Sequence, residues 1–218
     1  MIGIIVALEK EAVAVLPLLK EKKEKTLAGK KIIEGRLFDK QVALIFSGIG
    51  KVSASLSAQA LIDAYHPEFV LNFGSVGGVS KRVKIKNYYL VEKCMQFDFD
   101  VREIDDVPLG YIQDYDTVFF NTDKIDGVDF ESVLLATADK FTSNEKVIEE
   151  IISLGVDIRD MEGGAIAQVC TSNNVKLIML KGVTDVFGSG NDGEQFINNL
   201  LEVSNNFPSA IEKIFNKI

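Results

Sequence analysis

Short apolar runs alternate with longer mixed segments along the whole of this chain. Apolar runs of about four to eight residues between turn residues are typical of buried strands, and longer segments with a 3.6-residue period are typical of helices. On this basis we predict strands over residues 2–8, 31–37, 41–46, 69–73, 87–91, 133–137 and 177–180. We predict helices over residues 9–22, 52–65, 144–154, 164–173 and about 193–217.

This alternation predicts an α/β fold, with a central mixed, mostly parallel twisted sheet and helices on both faces. Residues 29–46 are an exception, because two apolar runs flank Phe38, Asp39 and Lys40 and predict an antiparallel hairpin. Residues 98–129 are acidic and rich in turn residues, so a lid, a partner-facing arm and a long connection all remain open. We find no repeat, low-complexity tract or linker, and we predict one domain over residues 1–218.

The composition narrows the function classes. The chain has 218 residues, is 47% hydrophobic and carries a formal net charge of −8, which argues against a nucleic-acid partner but not against an uncharged nucleoside. Two cysteines and one histidine argue against a zinc site, and the low cysteine content favours a reducing cytoplasm. The apolar N-terminus lacks a basic flank and is too short to cross a bilayer, so we expect a first strand, with no membrane association.

Acidic residues stand close to predicted strand ends. Asp185 follows the apolar run 177–180, at the side of the sheet where open α/β folds bind ligands. Glu162 precedes a predicted helix, where it is either a helix-terminal acid or a carboxylate that accepts hydrogen bonds from two vicinal hydroxyls. Glu11 opens another helix, where an acid stabilises the helix dipole by about 0.3–1 kcal/mol. Acids on one edge predict general acid chemistry on a polar small molecule.

Two glycine-rich segments follow strands. Residues 47–51 read Ser-Gly-Ile-Gly-Lys, and the loop is either a tight turn or a site where a ligand approaches the backbone. Ser53 stands at the third glycine position of a dinucleotide fingerprint, so that motif fits poorly. Residues 74–78 hold three glycines and Ser75, which predicts a loop that wraps a flat ring and offers a hydroxyl.

Taken together, these segments resemble the bacterial 5′-methylthioadenosine/S-adenosylhomocysteine nucleosidases of the nucleoside phosphorylase superfamily. The resemblance runs through nearly the whole chain and is carried by residues 3–11, 47–52, 74–78, 161–162 and 184–186. It implies a three-layer α/β/α fold and hydrolysis of an N-glycosidic bond. Phosphorylases of the superfamily carry a Gly-Asp-Pro-type phosphate loop near the N-terminus, whereas residues 7–11 here read Ala-Leu-Glu-Lys-Glu. Those acids would repel phosphate, which favours water as the nucleophile.

The resemblance also implies roles for three catalytic acids. Glu11 matches the base that positions and deprotonates water, Asp185 the acid that protonates adenine N7, and Glu162 the carboxylate that holds the ribose hydroxyls. The transition state resembles an oxocarbenium ion, and the two proton-transfer carboxyls need opposed environments. The implied substrate-binding residues are Leu8 and Ile49 at the ribose and water, Ser75 and Gly77 in the binding loop, Phe141 stacked on the purine, Thr142 reading the base edge, Met161 packed on the sugar, and Thr184 in place of a family serine. No metal or cofactor is implied.

Some positions depart from the family pattern. Lys181 replaces the usual arginine, which is not an equivalent donor, and the polar segment 188–193 replaces an aromatic over the 5′ substituent. The resemblance implies a homodimer in which residues 104–108 reach into the partner's site, and a role in methionine salvage. A futalosine-type hydrolase, a purine nucleoside phosphorylase and a nucleoside-binding module without catalysis remain alternatives.

Overall fold

The computed structural model describes residues 1–142 and 144–218. Its strands are β1 (Ile2–Val6), β2 (Lys20–Leu27), β3 (Lys30–Leu37), β4 (Lys40–Phe46), β5 (Phe69–Gly78), β6 (Tyr88–Gln96), β7 (Phe120–Asn121), β8 (Ser132–Thr137), β9 (Ile158–Asp160) and β10 (Lys176–Val186). Its α-helices are α1 (Lys51–Tyr65), α2 (Glu145–Ser153), α3 (Gly163–Ser172) and α4 (Asp192–Phe215). Short 3-10 turns cover Glu9–Ala12, Leu16–Leu18 and Gln113–Tyr115.

The strands form one mixed sheet in the order β10-β6-β8-β9-β5-β1-β4-β3-β2, with β7 beside β6. Strand β10 also pairs with β5, so β5, β10, β6, β8 and β9 make a closed ring of neighbours. The pairs β1–β4, β1–β5, β5–β10, β6–β8 and β8–β9 are parallel. The predicted mixed α/β sheet with flanking helices is confirmed, whereas one domain over residues 1–218 stays a prediction.

Strand β1 explains how the layers are built. Ile5 packs into a core with residues of α1 and α3, whereas Ile2, Ile4 and Val6 pack into a second core with residues of α4. Because both faces of the strand are covered by helices, every position in it is apolar and buried. A third, smaller cluster joins α2 to the end of β6.

The predicted helix over residues 9–22 is wrong. The segment forms two 3-10 turns and then the exposed edge strand β2. Pro17 has no backbone N–H to continue a helix, and it lies in the second turn. The sequence of β2 is dominated by alternating lysine and glutamate, which suits an edge strand that must not pair with another chain.

Other strands differ from the prediction mainly in length. Strands β5 and β10 continue through glycine, serine and threonine to Gly78 and Val186, so Asp185 lies inside β10 and not beyond its end. Short strands β7 and β9 were not predicted. The hairpin is confirmed, since β3 and β4 are antiparallel and Phe38 and Asp39 both have positive φ. Within the described residues, no helix has the length and apolar character to span a membrane.

Candidate active site

A cavity of about 240 Å³ opens where β1, β5 and β10 end, and most of the predicted site residues line it. Nine predicted residues line it: Leu8, Glu11, Ile49, Ser75, Gly77, Phe141, Met161, Glu162 and Asp185. Thr142 and Thr184 are buried and are not among the lining residues. The Thr142 hydroxyl accepts a hydrogen bond from the Asn144 backbone N–H at 3.2 Å. All three predicted acids therefore face one space.

Glu11 is fixed at one end of this cavity by three hydrogen bonds. Its Oε2 accepts from the Leu8 backbone N–H at 3.0 Å, and its Oε1 accepts from the backbone N–H and hydroxyl of Ser75 at 2.8 and 2.6 Å. A Cβ at Gly74 would lie 3.2 Å from Glu11 Oε1, so the glycine allows β5 to approach the carboxylate closely. The loop predicted to offer a hydroxyl thus offers it to Glu11.

Asp185 occupies a different environment in strand β10. Its side chain is 1% exposed, and Oδ1 accepts a hydrogen bond from the Thr184 hydroxyl at 2.8 Å. Burial raises the pKa of Asp185 to about 6, against the lowering effects of Thr184 and Arg159, while the charge of Asp192 raises it further. The group can therefore hold a proton close to neutral pH, as a general acid must.

Glu162 immediately precedes helix α3. Its Oε1 accepts a hydrogen bond from the Gly50 backbone N–H at 2.9 Å, so this N–H of the first glycine-rich segment is satisfied by protein. Burial, followed by the charge of Asp160, raises the pKa of Glu162 to about 7, although Gly50 and Lys181 lower it. Segment 47–51 therefore has two roles. The Gly50 N–H positions Glu162, and Ile49 lines the cavity.

Lys181 supports the segment that carries Glu162. Its Nζ lies 2.9 Å from Asp160 Oδ2, and both side chains are almost fully buried. Asp160 in turn accepts hydrogen bonds from the Thr137 hydroxyl at 2.6 Å and from the Gly163 backbone N–H. The lysine therefore holds the start of α3 in place through a point charge instead of the fork of an arginine.

Several lining residues were missed from the sequence: Ala7, Val76, Phe97, Lys140, Arg159, Asp160 and Phe196. Arg159 matters most, because its Nη2 lies 2.7 Å from Asp192 Oδ2 and 3.6 Å from Asp185 Oδ2. The sequence offered little signal for it, because β9 consists of Ile158, Arg159 and Asp160 alone. Among the described residues, no group of three or more histidine, cysteine, aspartate or glutamate side chains is arranged to hold a metal ion.

Comparison with known proteins agrees with this geometry. The family model of the phosphorylase superfamily matches residues 1–218. The 5′-methylthioadenosine/S-adenosylhomocysteine nucleosidase of Geobacillus sp. (strain WCH70) is 30% identical over 210 residues, which cover 90% of each chain. The protein with the same name from Marinomonas sp. (strain MWYL1) is 27% identical and covers 93% of this chain and 92% of its own.

Solved structures show the same fold. A putative 5′-methylthioadenosine/S-adenosylhomocysteine nucleosidase from Borrelia burgdorferi B31, bound to adenine, superposes with a TM-score of 0.90 at 26% identity and covers 100% of both chains. The futalosine hydrolase of Helicobacter pylori strain 26695 superposes with a TM-score of 0.90 at 23% identity, covering 100% of this chain and 97% of its own. At that identity, the second match informs the fold alone.

Proposed function

This chain belongs to the 5′-methylthioadenosine/S-adenosylhomocysteine nucleosidase family of the phosphorylase superfamily, and we propose that it hydrolyses the N-glycosidic bond of both nucleosides. The products are adenine and either 5-methylthioribose or S-ribosylhomocysteine. The observation that carries the proposal is the convergence of Glu11, Glu162 and Asp185 on one cavity, with the pKa of Asp185 raised to about 6.

In the proposed reaction, water attacks C1′ of the ribose and gives a proton to Glu11. The electron pair of the C1′–N9 bond leaves with the base, which receives the proton of Asp185 at N7. Glu162 accepts hydrogen bonds from the ribose hydroxyls and stabilises positive charge that develops on the sugar. The hydrogen bonds from Leu8 and Ser75 support the first role, because they orient the Glu11 carboxylate.

The other predicted residues contribute to binding in this proposal. Phe141 stacks on the purine, the Thr142 backbone contacts the base edge, and Met161 packs on the sugar. Leu8, Ile49, Ser75 and Gly77 shape the ribose end. Thr184 acts through Asp185, to which its hydroxyl donates a hydrogen bond. A Cβ at Gly77 would lie 2.7 Å from Asp185 Oδ2, which supports a requirement for glycine at that position.

We further propose that two copies form a homodimer. Ile49, Val52, Leu56, Phe99 and Ile104 are large apolar side chains with high exposure, and Val52 and Ile104 are 80% and 83% exposed. Exposed apolar groups of this kind are typical of protein interfaces. Residues 104–108 would then contact the partner's cavity.

The proposal also includes a cytoplasmic location and a role in methionine salvage. Cys94 and Cys170 are free and buried, which is consistent with a reducing compartment.

The test is adenine release from 5′-methylthioadenosine and S-adenosylhomocysteine, each with and without phosphate. We expect each nucleoside to be cleaved at the same rate with and without phosphate, because water is the nucleophile. A strict requirement for phosphate would instead identify a phosphorylase. Tight nucleoside binding without cleavage in either buffer would identify a binding module.

A further inference from the structure

Arg159 lies beside the proposed general acid in a row that crosses three strands. Strand β5 runs between β9 and β10, and its Gly77 is paired with Arg159 on one side and Asp185 on the other. Residues directly opposite each other in neighbouring strands project from the same face of a sheet. A Cβ at Gly77 would lie 2.7 Å from Asp185 Oδ2 and 3.0 Å from Arg159 Nε. The arginine and the acid therefore converge on one part of the cavity.

The guanidinium has hydrogen-bonding capacity left over. Its Nη2 is paired with Asp192 at 2.7 Å, and its Cζ lies 5.2 Å from the centre of the Phe141 ring. Its Nη1 is buried and has no hydrogen-bond partner among the described residues, in a side chain that is only 7% exposed. A buried donor without a hydrogen-bond partner destabilises the folded protein. A ligand with an acceptor at this position would remove that destabilisation.

The neighbouring Asp185 carboxyl also has one oxygen without a hydrogen-bond partner in the described part of the chain, although Arg159 Nη2 lies 3.6 Å from it. Its Oδ2 is buried and accepts no hydrogen bond from the described residues. In the proposed function this carboxyl faces purine N7. The next group along that edge of the base is the substituent at C6, and Phe141, which packs on the guanidinium, is the residue proposed to stack on the purine. The inference places Arg159 on the C6 side of N7, where its free Nη1 would reach that substituent.

Purines differ at this edge in a way that a guanidinium distinguishes. A 6-aminopurine presents the N7 acceptor beside an N–H donor, whereas a 6-oxopurine presents two acceptors, N7 and O6. A guanidinium has only donors, and a protonated carboxyl supplies the other donor. Arg159 with protonated Asp185 thus complements the 6-oxopurine edge. An amino group at C6 has no acceptor for the guanidinium and therefore gains nothing from Arg159.

We infer that Arg159 extends the substrate range of this site to nucleosides whose base carries a carbonyl at C6. The inference rests on the proposed function, because it places the base against Asp185. Asp192 contributes to this recognition, because it accepts a hydrogen bond from Arg159 Nη2 and so orients the guanidinium. An ion pair that serves only to join β9 to the start of α4 would have no effect on the choice between bases.

The test compares 5′-methylthioinosine with 5′-methylthioadenosine, which differ only at C6. We expect the wild-type protein to cleave methylthioinosine with a kcat/KM at least about one tenth of that for methylthioadenosine. Arg159→Met should lower kcat/KM for methylthioinosine roughly tenfold more than for methylthioadenosine, as loss of a charged hydrogen bond predicts. Arg159→Lys should recover part of that selectivity, and Arg36→Met, an arginine of β3 outside the cavity, should change neither value.

The outcomes separate the inference from the proposed function. An equal loss for both nucleosides in Arg159→Met, or a wild-type ratio below about one thousandth, would overturn the inference and leave the nucleosidase intact. If neither nucleoside is cleaved, the proposed function fails, and direct binding of hypoxanthine and adenine decides the inference. Arg159→Met should then weaken the binding of hypoxanthine and leave the binding of adenine unchanged. If that variant does not fold, the double variant Arg159→Met/Asp192→Asn, which removes both charges, takes its place.

Discussion

Glu11 lies against β5 at Gly74, whereas Asp185 lies against it at Gly77, three residues further along the strand. The two carboxyls therefore face different ends of the cavity, and their surroundings differ. At one end, both oxygens of Glu11 accept hydrogen bonds, from Leu8 and Ser75. At the other end, Asp185 accepts a hydrogen bond from Thr184, while its Oδ2 has no hydrogen-bond partner among the described residues. Burial raises the pKa of Asp185 to about 6 and outweighs the lowering effects of Thr184 and Arg159. The contrast therefore supports Asp185 as the acid of the proposed reaction, while the hydrogen bonds that orient Glu11 support its role beside the water.

Secondary structure produces this contrast. Glu11 lies in a 3-10 turn after β1, and the adjoining backbone has N–H groups that no ladder uses, such as that of Leu8. Asp185 lies within β10, whose backbone is paired with β5 through Val186. Few backbone N–H groups are therefore left to donate to it, and a strand position keeps the acid buried. One fold thus gives two carboxyls different chemistry.

The substitution Asp185→Asn should have the largest effect. An amide keeps the shape of the side chain and can accept the Thr184 hydrogen bond, but it has no proton to give to the base. We expect kcat for methylthioadenosine to fall by about a thousandfold, within the range for loss of a general acid. Asp123→Asn is the matched control, since Asp123 accepts a hydrogen bond from Leu177 at the opposite end of β10. Near-normal turnover in Asp185→Asn would show that Asp185 is not the general acid.

Glu11→Gln should have the next largest effect. The amide cannot take a proton from water, so we expect kcat to fall by about a hundredfold. Adenine should still bind with nearly wild-type affinity, because the base lies at the other end of the cavity. Glu9→Gln is the control, since Glu9 is an exposed acid of the same turn that contacts Lys31. If Glu11→Gln weakens adenine binding as much as turnover, the two ends do not have separate roles.

The smallest effect concerns the pH at which Asp185 loses its proton. The pKa of Asp185 is about 6 and is raised in part by the charge of Asp192. Activity that needs the protonated acid falls as pH rises through this value. Asp192→Asn removes the raising charge and should move the alkaline limb of kcat/KM downward by roughly half to one pH unit. Glu194→Gln, the next acid of α4, should leave the limb unmoved, whereas an upward movement in Asp192→Asn would contradict the electrostatic explanation.

Much of the site follows from the sequence because its residues stand at predictable chain positions. Glu11 follows a fully apolar strand, and Glu162 precedes a helix next to two glycines. The pairing of residues across neighbouring strands does not follow from the sequence in the same way. The pairing of Gly77 with Arg159 depends on the register of β9, a strand of three residues that carries too little pattern to be recognised. Arg159 was missed for that reason.

The error at residues 9–22 has a related cause. Val13, Ala14 and Val15 continue an apolar pattern that suits a helix, but Pro17 interrupts it. The charged strand β2 then forms by pairing with β3. Pairing between distant segments is a tertiary property that local pattern does not contain. The same limit applies to residues 98–129, where Phe120–Asn121 forms a strand only against β6.

The central claim is that Asp185 is held protonated by burial, and the most direct test is the stability of Asp185→Asn against pH. A folded-state pKa raised from 3.8 to about 6 gives a stabilising contribution that is present below about pH 4 and is lost as pH rises through 6. Asparagine does not titrate and does not incur this loss. The unfolding free energy of the variant minus that of the wild type should therefore increase by about 1–3 kcal/mol between pH 4 and pH 8. A difference that stays constant, or decreases, over that range would contradict the claim.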